Sequence, residues 1–177
     1  MQKAISIQYY KSPVGELILG SFQDKIVLAD WRYRKKREEI DARIRNGLKV
    51  DFQERKCQQI ENCRNQLEEY FSGDRKEFDL PLLFVGTDFQ KRVWQELRNI
   101  PFGKTETYLS LSKKMGDVKA IRAVASANGA NAISILVPCH RIIGTDGKLI
   151  GYAGGLPAKK KLLELESEEY QLNFFES

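Results

Sequence analysis

ILVPCHRIIGTDGKLIGYAGGLPAKKKLLELE, residues 135–166, runs from an apolar segment through a turn-rich stretch into a pattern with helical spacing. Cys139 and His140 stand at its first bend, and His140 is the only histidine in 177 residues. A thiol reacts as the thiolate, so a working cysteine needs a neighbour that takes its proton. On an extended chain, adjacent side chains point to opposite sides. Cys139 and His140 would therefore communicate around a turn or through a bridging water, and Pro138 helps to force the change of direction. An imidazole used this way needs an orienting carboxylate. Glu164 and Glu166, in the helix-like segment, are the nearest candidates. The plainer reading is a small buried cysteine beside a satisfied histidine.

Upstream of this stretch the chain changes character near Thr87. TDFQKRVWQELRNI starts at a capping Thr87 or Asp88 and repeats Val93, Leu97 and Ile100 along one face. TYLSLSKKMG predicts a short helix ended by Gly116. DVKAIRAVASANG predicts another, started by Asp117 and ended by Gly129. Two short helices and a tight turn suit helix-turn-helix docking on DNA, with the second helix as reader. Residues 84–166 carry 13 basic against 7 acidic side chains, the balance expected of a polyanion binder. The last eleven residues carry three acids and no base. In that tail Phe174 and Phe175 are expected to pack on the body.

The first half reads differently. AISIQYYKSPVGELILGSFQDKIVLADW predicts three antiparallel strands near 4–10, 16–22 and 25–31. RYRKKREEIDARIRNG reads as a solvated charged helix or loop. DFQERKCQQIENCRNQLEEYFSGD predicts one helix, with Ile60, Cys63, Leu67, Tyr70 and Phe71 at its spacing. FDLPLLFVG is extended and either returns to the sheet or links to the next unit. ISILVP is a short β-like run.

Composition excludes several classes. Three cysteines, sparse and odd in number, argue against a disulfide framework. One histidine and no CxxC pair argue against structural zinc. No apolar run approaches the ~18–20 residues of a membrane span, and the first residues lack the pattern of a secretory signal. A cytoplasmic protein is expected.

The elements FQKRVWQELRNIPFGKTETY, AIRAVASANGANAISILVPCHR and GYAGG, at these spacings, resemble the O6-alkylguanine-DNA alkyltransferases, also called methylated-DNA–protein-cysteine methyltransferases. The resemblance covers roughly residues 87–166 without a gap. It implies an α/β N-terminal domain over 1–84, ribonuclease-H-like with a small antiparallel sheet plus helix. A mostly α, winged-helix-like DNA-binding domain over 85–177 would carry the helix-turn-helix. It implies DNA repair by direct reversal. The alkyl group of O6-alkylguanine in duplex DNA, and of O4-alkylthymine, passes irreversibly to a cysteine after base flipping. The protein would act once, as a monomer, without cofactor or metal.

By the same resemblance, Cys139 is the acceptor, His140 the activating base acting through a water, and Glu166 its orienting carboxylate. Asn131 braces the turn between reading helix and site. Tyr108 assists the leaving O6 atom. Arg122 enters the duplex in place of the flipped nucleotide, and Ser126 and Asn128 meet the DNA from the same helix. Tyr152 and the Ala153 amide form the lid, and the carbonyls of Cys139 and Ile142 accept the guanine amine. Ala132 replaces a frequent proline, Ala153 a frequent serine, and Asn128 a larger apolar wedge found in some members. Trp94 and Phe89 read as core, and Lys159, Lys160 and Lys161 as phosphate contacts or a solvated face. A non-enzymatic damage-binding module is the alternative. A cysteine hydrolase is a third, and it would turn over repeatedly.

Overall fold

The computed structural model describes residues 3–167. The expected packing of Phe174 and Phe175 lies outside them. The chain forms two compact units. One holds the residues up to Thr87 together with Ala132–Leu136; the other holds Asp88–Asn131 and the chain from Val137 onward.

In the first unit, β1 (Ala4–Ser12), β2 (Gly15–Phe22) and β3 (Lys25–Trp31) form the three expected antiparallel strands. A fourth strand, β4 (Asp51–Glu54), adds parallel to β1 and gives the order β3-β2-β1-β4. The sequence reading placed these four residues inside a helix. Pairing with the β1 edge overrides their weak local preference, and the helix, α2 (Gln58–Phe71), begins later. The charged stretch after β3 becomes α1 (Arg37–Leu48). Its Ile40 and Ile44, one turn apart, pack with Ile5, Ile7, Ile18 and Leu28 on one face of the sheet. From α2, Ile60, Cys63 and Leu67 are buried, and this helix packs against β1, β2 and β3. Covered on both sides, β3 is buried from Ile26 to Trp31. That explains its near-continuous apolar sequence.

The free edge of β3 is also covered. FDLPLLFVG returns to it: Ile26 N–H donates to Pro81 O, and Leu83 N–H donates to Ile26 O. The run before Cys139 docks on the same strand. Ala29 N–H donates to Ala132 O, and Ser134 N–H to Ala29 O. The Ser134 hydroxyl donates to Asp30, a fully buried carboxylate that also accepts from Arg34 and Arg37. Residues 132–136 thus belong by contact to the first unit and by sequence to the second half.

The second unit contains α3 (Asp88–Leu97), β5 (Glu106–Thr107), α4 (Tyr108–Lys114), α5 (Ile121–Gly129), β6 (Ile142–Ile143) and α6 (Leu156–Glu166). Thr107 caps α4 by accepting the Ser110 N–H at 3.0 Å. Asp117 caps only a 3-10 turn, Val118–Ala120, so the reading helix starts four residues later than the sequence suggests. Trp94 is buried, and its indole N–H donates to Ala127 O at 2.8 Å, tying α3 to α5. Val93, Leu97 and Ile100 complete that core.

Candidate active site

Two tight turns of opposite hand deliver the cysteine. Ile135 holds φ +73° while Leu136 N–H donates to Ser134 O, a γ-turn in its rare left-handed form. For a β-branched residue this conformation is strained. Three residues later Pro138, at φ −81° and ψ 63°, centres an inverse γ-turn closed by Cys139 N–H to Val137 O. Asn131 braces the bend: its buried amide donates to Val137 O at 2.9 Å. Cys139–Arg141 then form one 3-10 turn, so the thiol and imidazole follow each other around a curve, not along a strand.

Cys139 is 3% exposed and His140 is fully buried. His140 Nε2 lies 2.8 Å from Glu166 Oε1. Arg141 grips the same carboxylate through Nε (2.9 Å) and Nη2 (2.8 Å), and its Nη1 donates to Ile100 O at 2.6 Å. This fork is the charge-assisted bidentate arrangement that fixes a carboxylate in position and angle. Sequence reasoning missed Arg141; the signal was present as the arginine of PCHR, but its partner lies 25 residues on. The IPFG element also gains a purpose. Ile100 anchors Arg141, and Arg141 lies 5.9 Å from the Phe102 ring centre. Gly103 has φ +80°, and a Cβ there would meet Glu166 O at 3.0 Å, so only glycine fits against the end of α6.

Burial alone would raise the Glu166 carboxyl; the contacts with His140 and Arg141 outweigh it and hold the group at about 2. Burial pushes the His140 imidazole below its usual value, Arg141 and Lys159 push the same way, and only Glu166 opposes. At neutral pH the imidazole is therefore neutral. With Glu166 ionised, Nε2 carries the hydrogen and donates to it. That leaves Nδ1 as an acceptor, buried and without a hydrogen-bond partner among the described residues. Such a nitrogen is poised to receive a proton.

Both shifts give stability the same dependence on acid. An imidazole whose folded value is depressed binds its proton first in the unfolded chain. Its contribution is therefore intact above the ordinary 6.5 and erodes below it. The Glu166 contribution is intact above the ordinary 4.5 and is lost as pH falls toward about 2. Urea midpoints are expected to be level above pH 7, to decline from about 6.5, and to fall faster below about 4.5. A midpoint that rose between pH 7 and 5 would contradict the neutral imidazole.

Around this core, Tyr152 meets His140 edge to face with ring centres 6.5 Å apart, and Ala153 is half-buried beside it. Ile142 is buried, and its N–H donates to Cys139 O, leaving that carbonyl one lone pair. The Tyr108 hydroxyl lies 3.5 Å from Ile150 O. Burial raises the Tyr108 hydroxyl and Cys139 adds to the effect, so it remains a neutral donor. Asn128 is buried, while Arg122 and Ser126 are exposed on α5. Arg122 has no hydrogen-bond or ion-pair partner among the described residues. Ala123, Ser126 and Gly129 extend its exposed face with small side chains. Lys160 and Lys161 are exposed, but Lys159 is buried, against the expectation of a solvated or phosphate-facing group.

A reactive-cysteine centre fixed by an Arg–Glu–His chain, on a unit with a helix-turn-helix, joined to a sheet-and-helix unit, is an arrangement with known relatives. The chain belongs to the 6-O-methylguanine DNA methyltransferase family: the model of that family's DNA-binding domain matches residues 88–168, and the model of its ribonuclease-like domain matches residues 5–84. Among individual relatives, it is 42% identical to the methylated-DNA–protein-cysteine methyltransferase of Methanosarcina acetivorans, over 89% of this chain and 95% of that one. It resembles the crystal structure of Mycobacterium tuberculosis O6-methylguanine methyltransferase at TM-score 0.78 and 35% identity, covering 97% and 99% of the two chains. The OGT of the same organism in complex with DNA matches equally well, at TM-score 0.78 and 35% identity, covering 96% and 99%.

Proposed function

We infer that this chain is a methylated-DNA–[protein]-cysteine S-methyltransferase that repairs O6-alkylguanine in duplex DNA by taking the alkyl group onto Cys139. The observation that carries this reading is the buried thiol next to a neutral imidazole whose Nδ1 has no hydrogen-bond partner among the described residues. The proton of Cys139 passes to His140 Nδ1 through a water. The sulfur attacks the alkyl carbon, the S–C bond forms, and the C–O6 bond breaks. Its electron pair stays on the guanine, which takes a proton from Tyr108; solvent restores the phenol. A phenolic donor aimed at the developing negative charge works as an oxyanion hole does. The thioether has no hydrolytic route here, so each molecule acts once.

Extrusion of the base from the stack is required before sulfur can reach it. The exposed Arg122, followed by small residues on the same face of α5, suits a guanidinium inserted into the duplex while the helix backbone approaches the minor groove. Ser126 shares that face. Tyr152, the Ala153 amide and the carbonyls of Cys139 and Ile142 would hold the flipped base. The first unit, residues 1–84 in this division, supplies support, and residues 85–177 supply DNA docking and chemistry, in a monomer. O4-alkylthymine is a second substrate. Among the described residues no helix is long and apolar enough to cross a membrane. The three free thiols suit a reducing cytoplasm.

The test is incubation with duplex DNA containing O6-methylguanine, followed by peptide mass spectrometry. A gain of about 14 Da, the exchange of H for CH₃ on sulfur, is expected on the Cys139 peptide, with one equivalent consumed. Binding without a gain would favour the damage-binding alternative. Arg122→Ala is expected to slow transfer from duplex DNA by roughly 30- to 150-fold, equivalent to about 2–3 kcal/mol of lost support for flipping. Its transfer from free O6-methylguanine base should stay unchanged, because that substrate needs no extrusion.

A further inference from the structure

Ser134 is fully buried and opens the strained turn at Ile135. Its N–H donates to Ala29 O at 2.7 Å, and its carbonyl accepts the Leu136 N–H at 2.9 Å. Its hydroxyl donates to Asp30 Oδ1 at 3.0 Å. The backbone pairing at this point of β3 is a single bridge, Ala29 with Ile133. Asp30 adds a side-chain anchor on the residue next to Ile135. The carboxylate is itself held fast. Its Oδ2 accepts from Arg34 Nη1 (3.0 Å) and Arg37 Nη1 (3.1 Å). Arg37 also donates to Trp31 O (2.9 Å) and, through Nε, to Asp41 on α1 (3.0 Å). Two guanidinium groups thus fix one oxygen, and the other is aimed at Ser134. A buried ion pair is weak grounds for stability, because apolar packing often serves as well. A directed, charge-assisted bond to Ser134 is what apolar packing cannot supply.

We propose that Asp30 is a positioning residue for the transfer reaction: through the Ser134 hydroxyl it holds Ile135 in its strained turn, and so sets the course of the chain into Cys139. A β-branched residue at φ +73° persists only where its surroundings over-determine it. Asn131 fixes the chain after that turn, at Val137 O; Asp30 fixes it before, at Ser134. Without the second anchor Ser134 can rotate, Ile135 relaxes to negative φ, and the approach to Cys139 changes direction. The fold survives, because neither the Ala29–Ile133 bridge nor the arginine contacts of Asp30 use the hydroxyl. This assignment rests on Cys139 being the acceptor thiol.

Single-turnover methyl transfer from saturating O6-methylguanine duplex separates positioning from mere support. A supporting bond sets the amplitude, the fraction of protein that is folded and active, and leaves the rate constant alone. A positioning bond sets the rate constant. In Ser134→Ala the rate constant is expected to fall about tenfold at full amplitude, since a misplacement of about 1 Å can cost up to ~10²-fold. Gel-shift affinity for the same DNA should stay at the wild-type level. Asp30→Asn keeps the volume, but an amide cannot accept from two arginines and a serine together. Its rate constant should fall as far, and the double variant no further. If Asp30→Asn does not fold, Ser134→Ala decides alone. In the free protein, amide exchange at Leu136 and Cys139, whose N–H groups close the two turns, should quicken about tenfold in Ser134→Ala while that of Ile7 in β1 is unchanged. A wild-type rate constant in folded Ser134→Ala overturns the proposal. The proposed function fails separately, if the wild-type protein gains no methyl group from DNA; unchanged exchange at Leu136 and Cys139 would then overturn the role of Asp30 as well.

Discussion

Cys139→Ala is expected to abolish methyl transfer from O6-methylguanine DNA while leaving affinity for that DNA close to wild type. The substitution removes the only sulfur in the site; Cys57 and Cys63 lie in the first unit, and burial pushes the Cys63 thiol up to about 12, which makes it inert. The exposed face of α5 is untouched, so docking survives. Transfer read from labelled methyl groups, beside a gel shift on the same DNA, checks both halves. Residual labelled protein would place the acceptor elsewhere. Lost binding would show that the sulfur also shapes the docking surface.

Glu166→Ala carries the second large effect, on stability and rate together. The carboxylate is 2% exposed and accepts from both His140 and Arg141. Truncation strands a buried guanidinium whose remaining acceptor is Ile100 O. Breaking a buried pair from one side costs about 3–5 kcal/mol, which a urea titration reads directly. The imidazole also loses the partner that fixes its tautomer, so the hydrogen is free to sit on Nδ1. Transfer should therefore slow by about 10²-fold or more, the lower range of general-base contributions. Glu166→Gln keeps the shape and should recover much of the stability but little of the rate, because an amide cannot both balance Arg141 and accept as a carboxylate does. Equal rates for Gln and wild type would remove charge from the role of Glu166.

Much of this molecule could be read from the chain alone, and the failures share a cause. The three strands were visible because alternation and turn residues are local. Cys139, His140 and Glu166 were visible through a spaced motif, and the structure joins the last two at 2.8 Å. Strand β4 was not visible, since DFQE forms a strand only where β1 offers an edge. Three consecutive lysines look alike in sequence, yet helix rotation sends Lys159 inward and leaves Lys160 and Lys161 outside. Asn128 was read as a DNA-facing residue, and its burial needed the fold to pack α5 against its neighbours. Arg141 and Gly103 were legible as letters of motifs, but their reasons, a shared carboxylate and a close backbone carbonyl, are distant in sequence.

Five residues shortly ahead of Cys139, 132–136, complete the β3 edge of the first unit through Ala29 and the buried Asp30. The catalytic half is consequently no portable cassette. A gene fragment beginning at Asp88 would encode every group proposed to react, yet it would leave Ala132, Ser134 and the strained Ile135 with nothing to dock on. The genetic seam and the folding seam fall in different places, and Cys139 depends for its posture on a strand synthesised a hundred residues earlier.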